Sequence, residues 1–143
     1  MNAPLTRQMI KYVRTQILLE TGLSEDQVHF LTSIDADVES LPDLVVFALE
    51  DKPKTEENTD SDGGQERDFT FAVTGSVKSD AEADTDSLAV LIRKAVLQDV
   101  TLGHLALNTV WDGQEWGSGT GSSPTAMTKL TFTATYNWSP EWL

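Results

Sequence analysis

The chain has 143 residues, a formal net charge of −13 and no cysteine. Its length predicts a single domain, residues 1–143, with one core, and the lack of cysteine excludes disulfides and thiolate chemistry. No apolar run reaches the roughly 18 residues of a membrane span, and residues 1–14 lack the pattern of an export signal. Because 23 acidic side chains outnumber 10 basic ones, the surface repels phosphate backbones, which argues against nucleic-acid binding.

The N-terminal segment predicts an amphipathic helix. Apolar residues recur every four positions, at Leu5, Met9, Val13 and Ile17. Pro4 suits the first turn and Gly22 supplies the end. A short strand around His29 is expected to follow.

The segment Leu44–Leu49 is apolar at every position. A run without alternation predicts a strand covered on both faces. One face would carry the helices, so the other would contact more protein, either from this chain or from a neighbouring subunit.

Residues 51–67 (DKPKTEENTDSDGGQER) are polar, charged and almost free of apolar side chains, which predicts a flexible segment. Strict alternation from Phe69 to Val77 then predicts a half-buried strand. Pairing of this strand with residues 44–50 makes the acidic stretch a long hairpin arm. Its tip carries the acids Glu56, Glu57, Asp60 and Asp62.

A second helix and two strands are predicted in the remaining chain. Helical spacing links the apolar residues Leu88, Leu91, Ile92, Ala95 and Val96. The Gly/Ser loop 117–124 separates a strand around Thr109 from a strongly alternating strand over residues 129–138. The predicted fold is α+β, an antiparallel sheet of about four main strands with two helices on one face.

Candidate chemistry does not converge in the sequence. His29 and His104 lie far apart and neither stands in a nucleophile or metal motif. The acids of residues 80–86 lack the glycine and final glutamate of a calcium loop, and the G-x-G-x-G of residues 117–121 precedes a strand rather than a helix. We therefore predict no catalytic, cofactor-binding or metal site, and a protein that is not an enzyme.

Four phrases, in their order along the chain, carry a family resemblance. They are LPDLVVF at 41–47, FTFAV at 69–73, LQDVTLGHL at 97–105 and LTFTATY at 130–136. This arrangement resembles the tail-terminator (tail completion) proteins of long-tailed bacteriophages. The resemblance implies a structural virion protein, assembled in the host cytoplasm, that forms a hexameric ring on the head-proximal end of the tail tube.

The resemblance also implies the partners. The ring would end tube polymerisation and form the docking surface for the head–tail connector, while DNA passes through its lumen without specific binding. The partners would thus be other copies of the chain, the tail tube protein and the connector. The residues expected at subunit or partner interfaces are Leu44, Val46, Phe47, Trp116 and Trp142.

Two alternatives stay open at this stage. One is a connector or head-closure protein of the same morphogenetic region. The other, of a different class, is an acidic decoy that mimics DNA, whose carboxylates would lie in phosphate-like rows.

Overall fold

A computed structural model describes residues 4–30, 43–54, 64–78, 82–119 and 125–139. Within these ranges the helices are α1 (Leu5–Thr21) and α2 (Asp86–Leu97). The strands are β1 (Val28–Phe30), β2 (Asp43–Pro53), β3 (Gln65–Val77), β4 (Asn108–Gly119) and β5 (Thr125–Trp138). The α+β class predicted from the sequence is confirmed.

Both helices form where their apolar spacing predicts them. α1 follows Pro4 and ends at Gly22, whose left-handed φ of 71° lets its N–H bond to the Leu18 carbonyl. Its buried residues are Met9, Ile10, Val13 and Ile17. Those of α2 are Leu88, Ala89, Ile92, Ala95 and Val96.

The strand order in the sheet is β1-β2-β3-β5-β4. Every pairing is antiparallel except that of β1, which runs parallel to β2 with Val28 opposite Leu44. The predicted antiparallel sheet of about four main strands is therefore consistent with the four long strands, to which β1 adds a fifth, parallel one. Alternation of side chains reveals that a segment is a strand, but it carries no information on the direction of its neighbour.

The helices cover one face of the sheet, and the core lies between these two layers. Three phenylalanines form its centre: the rings of Phe69 and Phe71 lie 5.7 Å apart, and those of Phe71 and Phe132 lie 5.5 Å apart. Leu44 and Val46 of β2 belong to the same cluster as the buried faces of α1 and α2. The predicted location of both helices on one face follows from this shared core.

β2 is buried on both faces only over Asp43–Val46, which is less than the predicted Leu44–Leu49, and β3 is the strand buried on both faces over a longer stretch. After Val46, β2 becomes exposed, whereas every residue of Phe71–Ser76 in β3 is buried. β3 lies in the middle of the sheet. Its small outer residues, such as Ala72 and Thr74, are recessed between larger side chains of the flanking strands, which explains burial in a segment that alternates in sequence.

The base of the acidic hairpin is paired, so the predicted flexible arm, residues 51–67, includes residues at both ends that belong to β2 and β3. Asp51 lies opposite Phe69 and Pro53 opposite Arg67 in the β2–β3 ladder. Side chains reinforce the pairing: the Asp51 carboxylate accepts from Arg67 Nε at 3.1 Å and from the Tyr136 hydroxyl at 2.9 Å. The tip acids Glu56, Glu57, Asp60 and Asp62 lie outside the described residues.

The predicted Gly/Ser loop is also shorter than expected. β4 continues through Gly119, and Gly117 lies opposite Met127 in the ladder with β5. Backbone pairing thus extends into a segment whose composition alone is that of a linker. Residues 120–124 lie outside the described residues.

Candidate protein interface

The sheet has one face turned away from the helices, which we call the open face. It is rich in threonine, with Thr70 of β3 and Thr131, Thr133 and Thr135 of β5. The Thr70 and Thr133 hydroxyls lie 3.3 Å apart. Threonine favours the strand conformation, and its hydroxyl is polar without adding charge.

Two carboxylates of the open face are held by these hydroxyls. The Thr135 hydroxyl donates to the Asp68 carboxylate at 2.7 Å, and the Thr133 hydroxyl donates to the Asp112 carboxylate. The acids are thereby fixed against the sheet by hydroxyl donors. They do not stand as a free row of charges.

A hollow of about 270 Å³ lies on the open face and extends across β2, β3, β5 and β4. Its lining residues are Phe47, Thr74, Glu115, Trp116, Gly117, Met127, Thr128 and Lys129. The Lys129 ammonium lies 5.9 Å from the centre of the Phe47 ring, and Lys129 is opposite Glu115 in the ladder. The hollow therefore combines an aromatic ring, a thioether and one opposite-charge pair, a composition that suits an inserted side chain of another protein.

The predicted interface residues separate into two groups. Phe47 and Trp116 both line this hollow, but the Trp116 indole lies on the α2 side of the sheet, where its N–H donates to Asp86. Leu44 and Val46 are 0% exposed inside the core, so the prediction that they form an interface is wrong. Residues of β2 alternate between the two faces of the sheet, and Leu44 and Val46 are on the face that packs against the helices. Trp142 lies outside the described residues.

β4 is the last strand of the sheet within the described ranges, and its outer edge has no strand partner there. Two tryptophans stand along it, Trp111 and Trp116, with 40% and 51% of their surface exposed. A bulge at Asp112 interrupts the ladder between Trp111 and Gly113, and the Trp111 indole N–H donates to the Gly113 carbonyl at 2.8 Å.

Side chains of α2 hold both indoles in place. The Arg93 guanidinium lies 4.5 Å from the Trp111 ring centre, and its Nη1 donates to the Gln114 side-chain oxygen at 3.3 Å. The Trp116 indole N–H donates to Asp86 at 3.4 Å. Two large aromatic surfaces are thus presented at fixed positions beside an open backbone edge.

Among the ionisable residues of the described ranges, His29 contacts the Asp43 carboxylate at 2.6 Å. No group of three or more potential metal ligands occurs among the described residues. No described helix is long and apolar enough to cross a membrane.

The most perturbed carboxyl group organises a loop. Asp99 follows α2, and donors from the Thr101 hydroxyl, the Gly103 and Thr101 amides and the Tyr12 hydroxyl lower its pKa to about 2. Partial burial, and after it the hydrogen bond to Asp99, raise the pKa of Tyr12. This cluster links α1 to the turn before β4, where Gly103 has a left-handed φ of 70°, so its role is structural.

No protein-family model matches this chain, and no curated protein matches it either. The edge carrying Trp111 was missed by sequence reasoning, although a signal was available: the strand NTVWDGQEWGSG has neither the lysine nor the proline that commonly protects an edge.

Proposed function

We propose that the chain is a structural virion protein that caps the head-proximal end of a phage tail tube as a ring. In that position it ends tube polymerisation and forms the surface on which the head connector docks. The proposal stands on the sequence resemblance to tail terminators, and one structural observation carries it further. The open face holds a hollow lined by Phe47, which the sequence predicted to be an interface residue.

The one-sided architecture supports this function. With both described helices on one face, the opposite face is left for contacts with other subunits. A head-to-tail contact that closes by rotation gives a ring, and one that does not close gives a filament. A terminator needs the closed kind, with one side matching the tube and the other not.

The charge of the chain sets a condition on assembly. Each copy carries −13, so copies repel one another at low ionic strength. Screening shortens the reach of this repulsion from about 10 Å at 0.1 M salt to about 3 Å at 1 M. We therefore expect the ring to be favoured by added salt.

The decoy alternative receives less support from the open face. A DNA mimic requires carboxylates exposed in rows, whereas Asp68 and Asp112 accept hydrogen bonds from Thr135 and Thr133. The residues between them are uncharged threonines. A decoy would also remain a monomer or dimer at every salt concentration, which the test below distinguishes.

The test is light scattering behind size exclusion at about 0.1 M and about 1 M salt, with negative-stain images of any large species. A ring of six chains of 15.7 kDa has a mass of about 94 kDa. Phe47→Ser and Met127→Ser should each raise the concentration at which the ring half-dissociates by about tenfold or more, which is about 1.4 kcal/mol.

Leu19→Ser is the matched control, because Leu19 is exposed on α1 across the sheet from the hollow. Lys129→Glu offers a second variant that keeps the apolar lining intact if a serine variant fails to fold. A monomer under all conditions that also fails to bind tail tubes would contradict the proposal. A ring unaffected by all three hollow variants would exclude the hollow from the interface.

A further inference from the structure

A second surface lies along the outer edge of β4, beside the hollow, and shares Glu115 and Trp116 with its lining. Asp86, Val90 and Arg93 follow one another at steps of four and three, so they line one side of α2. Asp86 contacts Trp116 and Arg93 contacts Trp111. Val90 therefore lies between the two contacts, and its side chain is 52% exposed.

The helix-facing side of this edge is apolar. Trp111, Val90 and Trp116 form a row that we call the indole row. All three are large apolar side chains left exposed within the described residues. Isolated exposed apolar residues are ordinary, but a row fixed by a cation–π contact and hydrogen bonds is an interaction surface.

The opposite side of the same edge carries two acids toward its C-terminal half, beyond the exposed Val110. Asp112 accepts from Thr133 of the open face, and Glu115 lies opposite Lys129. Both acids therefore point to the open-face side of β4. One basic group, Lys129, adjoins them, and it is also engaged above the Phe47 ring, so the local balance is negative within a chain of charge −13.

These two sides define the strand that would complete the sheet. Side chains of an added strand alternate between the two faces of a sheet. On the α2 side they would contact the indole row, and on the open-face side they would meet Asp112 and Glu115. We propose that the outer edge of β4 binds an extended segment of another protein whose apolar residues alternate with lysine or arginine.

A second copy of this chain does not fit the edge. None of its described strands alternates apolar with basic residues: β5 alternates with threonine and contains only Lys129, and β3 contains only Arg67. Pairing β4 with its own copy would also bring acids of two chains together, each chain carrying −13. The inference goes beyond the proposed ring and stands without it.

The test uses a blocked peptide of about eight residues that alternates lysine and valine, matched to a strand length. Binding is followed by tryptophan fluorescence, and the site is mapped by amide hydrogen exchange of the full chain. We expect saturable binding, slowed exchange within residues 114–119, and an affinity loss of about threefold to tenfold for Glu115→Gln. Trp116→Ala should lose about tenfold.

Three controls make the result decisive. A peptide N-methylated at alternate residues keeps the side chains but cannot pair with the edge, and it should not bind. A glutamate–valine peptide should not bind either, and Glu50→Gln, an exposed acid on β2, should leave the affinity unchanged. The proposal would be overturned if either control peptide bound equally well. It would also be overturned if hydrogen exchange slowed elsewhere in the chain instead, or if self-association alone slowed exchange in residues 114–119.

Discussion

Replacing Tyr136 with phenylalanine removes one hydroxyl from the base of the acidic hairpin. That hydroxyl lies 2.9 and 3.0 Å from the two carboxylate oxygens of Asp51, and Arg67 contacts the same carboxylate. The Tyr136 ring is buried in the core, so phenylalanine fills the same space. The substitution therefore isolates one hydrogen bond.

The expected loss follows from the partners. A hydrogen bond to a charged group contributes about 1.5–3 kcal/mol. The Asp51 side chain is 37% exposed, so water replaces part of what is lost, and we expect Tyr136→Phe to cost about 1–2 kcal/mol. With a urea slope of about 2 kcal/mol/M, the unfolding midpoint falls by about 0.5–1 M.

The assay is urea unfolding of a double-mutant cycle that combines Tyr136→Phe with Asp51→Ala. We expect a coupling energy of about 0.5–1.5 kcal/mol. Tyr12→Phe is the matched control, because its hydroxyl donates to a different carboxylate, Asp99, at 3.2 Å, and it should not couple to Asp51. Coupling under about 0.3 kcal/mol would refute the paired base and restore the sequence prediction of flexibility from residue 51 onward.

Two further predictions concern the loop after α2 and the core. The pKa of Asp99 is lowered to about 2 in the folded protein. The ionised carboxylate therefore stabilises the fold above about pH 4, and this contribution is lost as the pH falls through 2. Asp99→Asn should lower the thermal unfolding midpoint at pH 6, and the difference from the unmodified chain should disappear between pH 4 and 2. A Cβ at Gly75 would lie 2.7 Å from Leu88 Cδ2, so Gly75→Val should cost about 1–3 kcal/mol in urea unfolding. Gly113→Ala, with nothing within 4 Å, is the control, and an equal loss there would contradict the packing argument.

The fold was predictable where apolar residues repeat with the period of a helix or a strand. The helix over Leu5–Thr21 and the alternation of β5 could be predicted because each has one buried face. The parallel β1 could not, because three residues carry no period and no direction. The longer burial of β3 on both faces could not be predicted either. It depends on the central position of β3 in the sheet rather than on the apolar content of the strand.

The candidate site was predictable only in part. Phe47 and Trp116 were expected at an interface, and both line the hollow, although the Trp116 indole lies on the other face of the sheet against Asp86. Their interface role remains a prediction. Leu44 and Val46 could not be assigned correctly from an unbroken apolar run, because that pattern does not say which residues face the helices. The contact of Arg93 with Trp111 joins two elements separated by a turn, and no local spacing reports such a pair.

The order of the strands bears on how the chain folds. β2–β3 and β4–β5 are pairs of consecutive strands, whereas the β3–β5 ladder joins residues as distant as Gln65 and Trp138. Closing a long loop costs entropy before its contacts form, and distant pairing slows folding. α2 connects the two hairpins, and its buried side chains enter the core they share. We therefore expect the meeting of two separately formed hairpins to limit the folding rate, with α2 as the tether that sets their effective concentration.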